Sequence, residues 1–208
     1  MDTVRTMTDI TAKLNELLDL AQEQPLDISE EDLDKFAEDC KEIIRKQFMS
    51  ERRSDEFSLR MSNIGKPLRQ LMLEKEHGYV KKEPRFKMLV TYGDMIEALV
   101  MLLLNISKDI EVEGEQKEVV VEAAGEQITG TYDLALDGKV YDIKSCSPFS
   151  FDNKFNDYQY MKVSDDDFGY LGQLHGYAAA SGLYPGGWIV VNKVLDRDWE
   201  TGLQDLIS

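Results

Sequence analysis

Apolar residues Ile10, Leu14, Leu17, Leu18 and Ala21 recur at steps of three and four, which predicts an amphipathic helix over residues 8–22. The stretch "QPLD" (24–27) breaks it. Ser29 followed by Asp32 has capping-box spacing, and Phe36, Cys40, Ile43, Ile44 and Phe48 continue as a second helix. Residues 50–56, "SERRSDE", read as a charged linker. Pro67 at the first helical position and Gly78 at the stop predict a third helix over 66–77. A fourth runs from Gly93 to Ser107 and carries the apolar run "ALVMLLL" (98–104).

The period then changes from helical to alternating. "KEVVVEAAG", "QITGTYDLAL", "KVYDIKS" and "GGWIVVNK" are rich in β-branched residues, with turn signals between them. One more helix intervenes, with Ser164 as N-cap, Asp165–Asp167 at its positive end and Gly182 as its close. Helices, a strand meander, a helix and a strand predict an α/β fold: a central mixed β-sheet flanked by helices, plus an N-terminal helical segment. The expected division is residues 1–56 for that segment and 57–208 for the core.

Asp137-Gly138 is a strong signal for a two-residue hairpin turn. Such a turn sets Leu136 against Lys139, Ala135 against Val140, Leu134 against Tyr141 and Asp133 against Asp142. Alternation puts Asp142 and Lys144 on one face. Two bare carboxylates about 5 Å apart repel by roughly 3 kcal/mol at an effective dielectric of about 20. A divalent cation between them reverses the sign. The alternative is a solvated hairpin edge with incidental charges. Leu134, Leu136, Val140 and Ile143 speak against it, because they make both strands core-facing.

The chain has 208 residues, enough for one sizeable core with a helical appendage. No uninterrupted apolar run reaches the roughly 18 residues of a membrane span, and no secretory leader is read at the N-terminus. Cys40 and Cys146 are too few and too far apart to predict a disulfide framework or a cysteine-ligated cluster. They fit a cytoplasmic protein, or the host cytoplasm if the chain is phage-encoded. The net charge of −16 argues against nucleic acid when taken alone. The sign reverses, however, over residues 61–87, where Lys66, Arg69, Lys75, Lys81, Lys82, Arg85 and Lys87 leave a net +4.

Asp133 followed by Asp142-Ile143-Lys144 resembles the motif of the PD-(D/E)xK nuclease superfamily, with Thr131-Tyr132 in place of the proline context. Gly93 and Glu97 are similar to the Gly-x-x-x-Glu of lambda-type phage exonucleases. Gln173 and Tyr177 resemble the Gln-x-x-x-Tyr signature of the RecB-like branch. Ser62, Gly65 and Arg69 resemble a Ser-x-x-Gly-x-x-x-Arg stretch in the same branch. The likeness spans about residues 60–193 and implies a restriction-endonuclease-like core.

The resemblance implies a Mg²⁺- or Mn²⁺-dependent deoxyribonuclease, and without the branch's cysteines no iron–sulfur cluster. Glu97, Asp133 and Asp142 are then metal ligands, with the Ile143 carbonyl a fourth. Lys144 orients the attacking water, and Gln173 and Tyr177 hydrogen-bond carboxylate, lysine or phosphate. Arg69, with Lys66 and Ser62, grips a DNA phosphate, which points to digestion from a 5′ end, in phage-type recombination or DNA degradation. The implied partner is linear duplex or single-stranded DNA, with an encircling homo-oligomeric ring and no membrane. Two alternatives stand: an endonuclease on the same core, and a catalytically inactive acidic interaction protein. Phe149, Phe151, Phe155, Tyr158 and Tyr160, interleaved with Lys154 and Lys162, either stack bases or pack the core. His77 and His175 receive no catalytic role.

Overall fold

The structure is a computed structural model and describes residues 7–50, 57–78, 82–107, 110–123, 125–155, 161, 166, 168–194 and 203–205. The first helix, α1 (Met7–Glu23), matches its apolar spacing. The second, α2 (Glu30–Ile44), begins where the Ser29 hydroxyl accepts the Asp32 N–H at 3.1 Å. A π-helical turn, Arg45–Met49, extends it. The third, α3 (Leu68–His77), starts one residue after Pro67, which is its N-cap rather than its first helical residue, and Gly78 ends it. The fourth, α4 (Pro84–Ile106), is longer than expected. Pro84 starts it, because the fixed φ of proline suits the first turn and its missing N–H costs nothing there.

Strands β1 (Gly114–Ala123), β2 (Glu126–Leu136) and β3 (Lys139–Cys146) form a meander. A short α5 (Pro148–Ser150), a π-helical turn (Phe151–Phe155) and α6 (Tyr170–Ser181) cross over to β4 (Tyr184–Asn192). A three-residue β5 (Leu203–Asp205), which no sequence signal announced, completes a five-stranded sheet in the order β1-β2-β3-β4-β5. Among the described strands β3 and β4 pair in parallel and the others antiparallel, so the sheet is mixed, as the element order predicts.

Helix α6 starts later than the sequence suggested. Its N-cap is Gly169, in the left-handed region at φ +73°, and Asp166 does the capping. The Asp166 carboxylate accepts the N–H groups of Tyr170 and Leu171 at 2.7 and 2.8 Å. The expected cap, Ser164, lies outside the described residues, as do the 51–56 part of the charged linker, Tyr158, Tyr160 and Lys162.

The sheet has an apolar layer on each side. Ile10 and Leu14 of α1 and Val100, Met101 and Leu104 of α4 pack with Leu134, Leu136, Tyr141, Ile143 and Ile189. On the other side Leu174 and Tyr177 of α6 pack with Met61, Val140, Phe151, Phe155, Trp188 and Val190. Helix α1 therefore shares its core with the sheet. Helix α4 is long and apolar enough to pass for a membrane span by length and composition, and 33% of that stretch is buried within the protein.

The segment 61–66 is clamped against α6 by glycines. A Cβ at Gly172 would lie 2.9 Å from both Cα and N of Gly65, and one at Gly176 would lie 2.7 Å from the Met61 sulfur. On β2, a Cβ at Gly130 would stand 2.4 Å from the Met61 Cβ. Three side-chain-free positions thus let this segment lie against helix and sheet together. Backbone cannot yield as a flexible side chain can. Gly172→Ala is expected to cost about 1–3 kcal/mol. At this size that lowers the midpoint of thermal unfolding by several degrees, while Val120→Ala, at a half-exposed position, leaves it nearly unchanged.

Candidate active site

The turn at Asp137-Gly138 has positive φ at both residues, +48° and +71°, as a type I′ hairpin requires. The expected register holds for Leu136–Lys139, Ala135–Val140 and Leu134–Tyr141. It then stops. Asp133 and Asp142 are not ladder partners, which corrects the direct opposition the hairpin implied. The Asp133 carboxylate instead accepts the Ile143 N–H at 2.6 Å, in a buried bond. A side chain replaces the backbone ladder where the two strands part. Beyond that point β3 runs paired to β4, with Asp142 level with Trp188 and Lys144 level with Val190.

Alternation along β3 does what the sequence predicts. Ile143 faces the α1–α4 layer and so meets the site through its backbone alone. Asp142 and Lys144 point the other way. The Lys144 ammonium stands 2.5 Å from Asp142 Oδ2. That oxygen is buried and has no aligned hydrogen-bond donor, so the ion pair alone compensates it. Asp142 is 2% exposed and Asp133 9%.

Glu97 arrives from the middle of α4. Gly93, one turn earlier, lets the helix approach β3, since a Cβ there would lie 3.3 Å from the Ser145 hydroxyl. The Gln116 side-chain amide donates to the Glu97 carboxylate. Gln116 is a non-glycine residue at φ +45°, and the β1–β2 pairing steps over both it and Asp133. A local break in the sheet thus aims two polar side chains at one place. Sequence reasoning missed Gln116, for a lone polar residue at a strand start carries no signal. It also missed Tyr170, whose ring centroid lies 5.8 Å from Lys144 Nζ.

Electrostatics tie the group together. Burial first, and then the neighbouring Asp142 and Glu97 charges, push the Asp133 carboxyl well above the usual carboxylate range. Burial, then Asp142 and Asp94, push Glu97 up to about 7 against the pull of Lys144 and Gln116. Burial works against the charged lysine, but Asp142 and Asp133 outweigh it and hold Lys144 protonated well beyond its ordinary range. Gln173 Nε2 donates to the Tyr177 hydroxyl at 3.0 Å, one turn away on α6. Burial pushes that phenol up to about 12, and Asp142, Lys144 and Asp133 are near enough to act on it.

Among the described residues no three His, Cys, Asp or Glu side chains stand close enough to enclose a metal as placed. The donor set nevertheless suits a hard divalent cation, being carboxylate oxygens with a main-chain carbonyl at hand. The buried Asp142 oxygen without an aligned donor is the kind of atom such an ion satisfies. Glu97, Asp133 and Asp142 are the residues that could hold such an ion if they drew together, and Lys144 balances the Asp142 charge as placed.

Of the residues expected to grip phosphate, Arg69 and Ser62 are exposed and Lys66 is partly buried. Arg69 lies in the first turn of α3, and neither it nor Lys66 has an ion-pair partner among the described residues. The glycine clamp holds their segment against α6, the helix of Gln173 and Tyr177. Of the aromatic stretch, Phe151 and Phe155 are buried in the core and Phe149 is exposed. His77 and His175 are both exposed. Cys146 lies in the α6-side core, where burial pushes its thiol up to about 12.

Scans against protein-family models and curated proteins give no match. Among solved structures the chain is similar to the crystal structure of SSO0001, with a TM-score of 0.40 and 14% identity over 81% of this chain and 74% of that one. A likeness that slight carries no argument about function.

The raised carboxyls have a consequence for stability. A folded Glu97 that titrates near 7 binds its proton more tightly than the unfolded chain does, so stability is lost as pH rises from 4.5 to about 7. Asp133 acts in the same direction. The metal-free protein is expected to unfold at lower temperature at pH 8 than at pH 5.5, and Glu97→Gln should remove on the order of 2–3 kcal/mol of that difference. Scanning calorimetry of both proteins across this range measures it. An unchanged slope in the variant would mean that Glu97 does not titrate abnormally.

Proposed function

We propose that this protein is a Mg²⁺- or Mn²⁺-dependent deoxyribonuclease that hydrolyses phosphodiester bonds from DNA ends. The setting is phage-type recombination or DNA degradation. One observation carries the reading: carboxylates from β3, β2 and α4 share one lysine, with Asp142 at 2.5 Å from Lys144 and Asp133 and Glu97 near enough to interact with its charge. Asp133 and Asp142 are buried, unlike the acids of an incidental surface cluster, and all three share a counter-ion. The resemblance of these same residues to PD-(D/E)xK nucleases adds to it.

Glu97, Asp133 and Asp142 would hold the cation, with the Ile143 carbonyl beside them. A bound divalent ion lowers the pKa of its water and neutralises charge on the scissile phosphate and leaving oxygen. Asp133 is steadied for its part by the Ile143 N–H, and Glu97 by Gln116. Lys144 stays protonated, so it acts as a fixed positive charge and donor rather than as a base. It orients the attacking water and offsets the charge that grows on the phosphate oxygens. Gln173 and Tyr177, bonded to each other, present donors from the facing helix.

Arg69, Lys66 and Ser62 would fix a neighbouring phosphate. A guanidinium in the first turn of a helix adds a bidentate donor to free backbone N–H groups. That the phosphate is a terminal 5′ one, and digestion therefore from the 5′ end, is what the resemblance of the Ser62–Arg69 stretch implies.

End-labelled linear duplex should be degraded with Mn²⁺ and spared in chelator, while closed circular duplex survives. Cutting of the circle would instead mark an endonuclease. Lys144→Ala and Asp142→Ala should each lower the rate by at least about 10²–10³-fold. No hydrolysis of any DNA by the wild type with either metal would leave an acidic interaction protein as the surviving reading.

A further inference from the structure

One continuous feature leads from solvent to Lys144 and is not used by the chemistry above. Phe168 leaves 55% of its surface exposed. Its ring stacks on Tyr170, with centroids 5.5 Å apart and planes 19° apart. The Lys154 ammonium lies over the Phe168 ring, 5.3 Å from its centroid. Tyr170 in turn lies 5.8 Å from Lys144 Nζ and 5.5 Å from the ring of buried Phe155. The order is an exposed ring with a cation over it, a second ring anchored in the core, and then the lysine of the site.

The exposed Phe168 ring has one face on Tyr170 and the other under a lysine. A ligand that displaces Lys154 from that face must be flat, to continue the stack, and anionic nearby, to hold the displaced ammonium. It must also be connected to a group that reaches Lys144. A protein segment meets the first condition only with an aromatic side chain, and the second only with an added acid. A nucleotide meets all three, since its base is a π-face, its phosphate is an anion and the next phosphate follows along the chain. We propose that Phe168 and Tyr170, with Lys154, form a nucleobase-stacking subsite for an unpaired strand whose adjoining phosphate lies at Lys144. The subsite rests on the nuclease reading and deepens it by naming the substrate next to the reaction as single-stranded. A base in a duplex has both faces covered by its neighbours, so only a frayed or single-stranded end can stack here.

The local backbone supports this placement. Gly169 separates the two rings at φ +73°, and a Cβ there would lie 2.3 Å from the Ile64 carbonyl oxygen. The same glycine that fits the 61–66 segment against α6 thus sets Phe168 and Tyr170 side by side. Asp166, bonded to the first N–H groups of α6, closes that helix end to phosphate. This leaves Lys154 and Lys144 as the cations on either side of the ring pair.

The test compares binding of short labelled oligothymidylate with an abasic oligonucleotide of equal length and charge, in Ca²⁺. Wild-type protein is expected to prefer the strand with bases by about 5- to 100-fold. Phe168→Ala should abolish most of that preference and leave abasic binding as it was, and Phe168→Trp should retain it. The side chain is exposed enough that its removal leaves the core intact. The proposal is overturned if wild type binds both strands alike, or if Phe168→Ala keeps the preference. Either result leaves the nuclease reading standing provided DNA is still cut with Mn²⁺. A wild type that neither binds nor cuts any strand removes both.

Discussion

The structure turns on the pairing of one partly buried lysine with more negative charge than it can neutralise. Lys144 touches Asp142, and Asp133 and Glu97 act on it through space. Removing two ions from water costs several kcal/mol for each, and their attraction repays this only in good geometry. Here the geometry is incomplete, because an Asp142 oxygen lacks an aligned donor. Packing for stability alone would favour apolar residues at these positions. The sheet nevertheless surrounds them with Leu134, Val140, Ile143, Trp188 and Val190, which fixes the backbone around the charges. The fold thus supplies the rigidity, and the site keeps an excess of negative charge that the proposed cation would offset.

That excess is held by deviations from regular structure. The β2–β3 ladder ends at Leu134–Tyr141, and a carboxylate takes the place of the next backbone acceptor. Gln116 adopts a left-handed φ opposite the same point, at the cost of about 1 kcal/mol or more for a side chain there. The approach of α4 depends on Gly93, and the approach of the 61–66 segment depends on Gly172, Gly176 and Gly130. At the last three a Cβ would collide, and at Gly93 it would crowd the Ser145 hydroxyl. Glycine spacing and sheet irregularity, rather than helix or strand propensity, decide which polar groups meet.

This division explains what the sequence disclosed. Regular elements were legible because burial imposes a period. The type I′ turn followed from Asp137-Gly138, and the two faces of β3 followed from alternation. The Ser29 cap was legible because capping is local chemistry within four residues. Helix α6 began late because three consecutive acids offered several plausible caps, and only tertiary contact with Ile64 and Lys66 selects Gly169. The start of α4 was missed for a similar reason, since its first turns are exposed and carry no core period: Phe86, Met88 and Leu89 all face solvent. The Asp133–Asp142 opposition was half legible. The residues were right, but ideal pairing hides the point where strands separate. Gln116, Tyr170 and Phe168 were invisible because their roles come from neighbours distant in sequence.

Net charge is the remaining tension between sequence and site. A chain at −16 repels a polyanion at long range, yet screening confines that repulsion to about 8–10 Å at physiological salt. At contact, the local arrangement decides. Lys66 and Arg69 are free of ion pairs among the described residues, whereas of the seven acids of α2 Glu38 and Glu42 pair with Arg45. Uncommitted positive charge therefore lies on the segment clamped to α6, close to the helix that faces Lys144, while α2 carries uncommitted negative charge. A polyanion meeting this surface would gain most from the α6 side and lose over α2. If the proposed nuclease reading holds, the acidic body would act as an orienting field that favours the approach past Phe168 to Lys144.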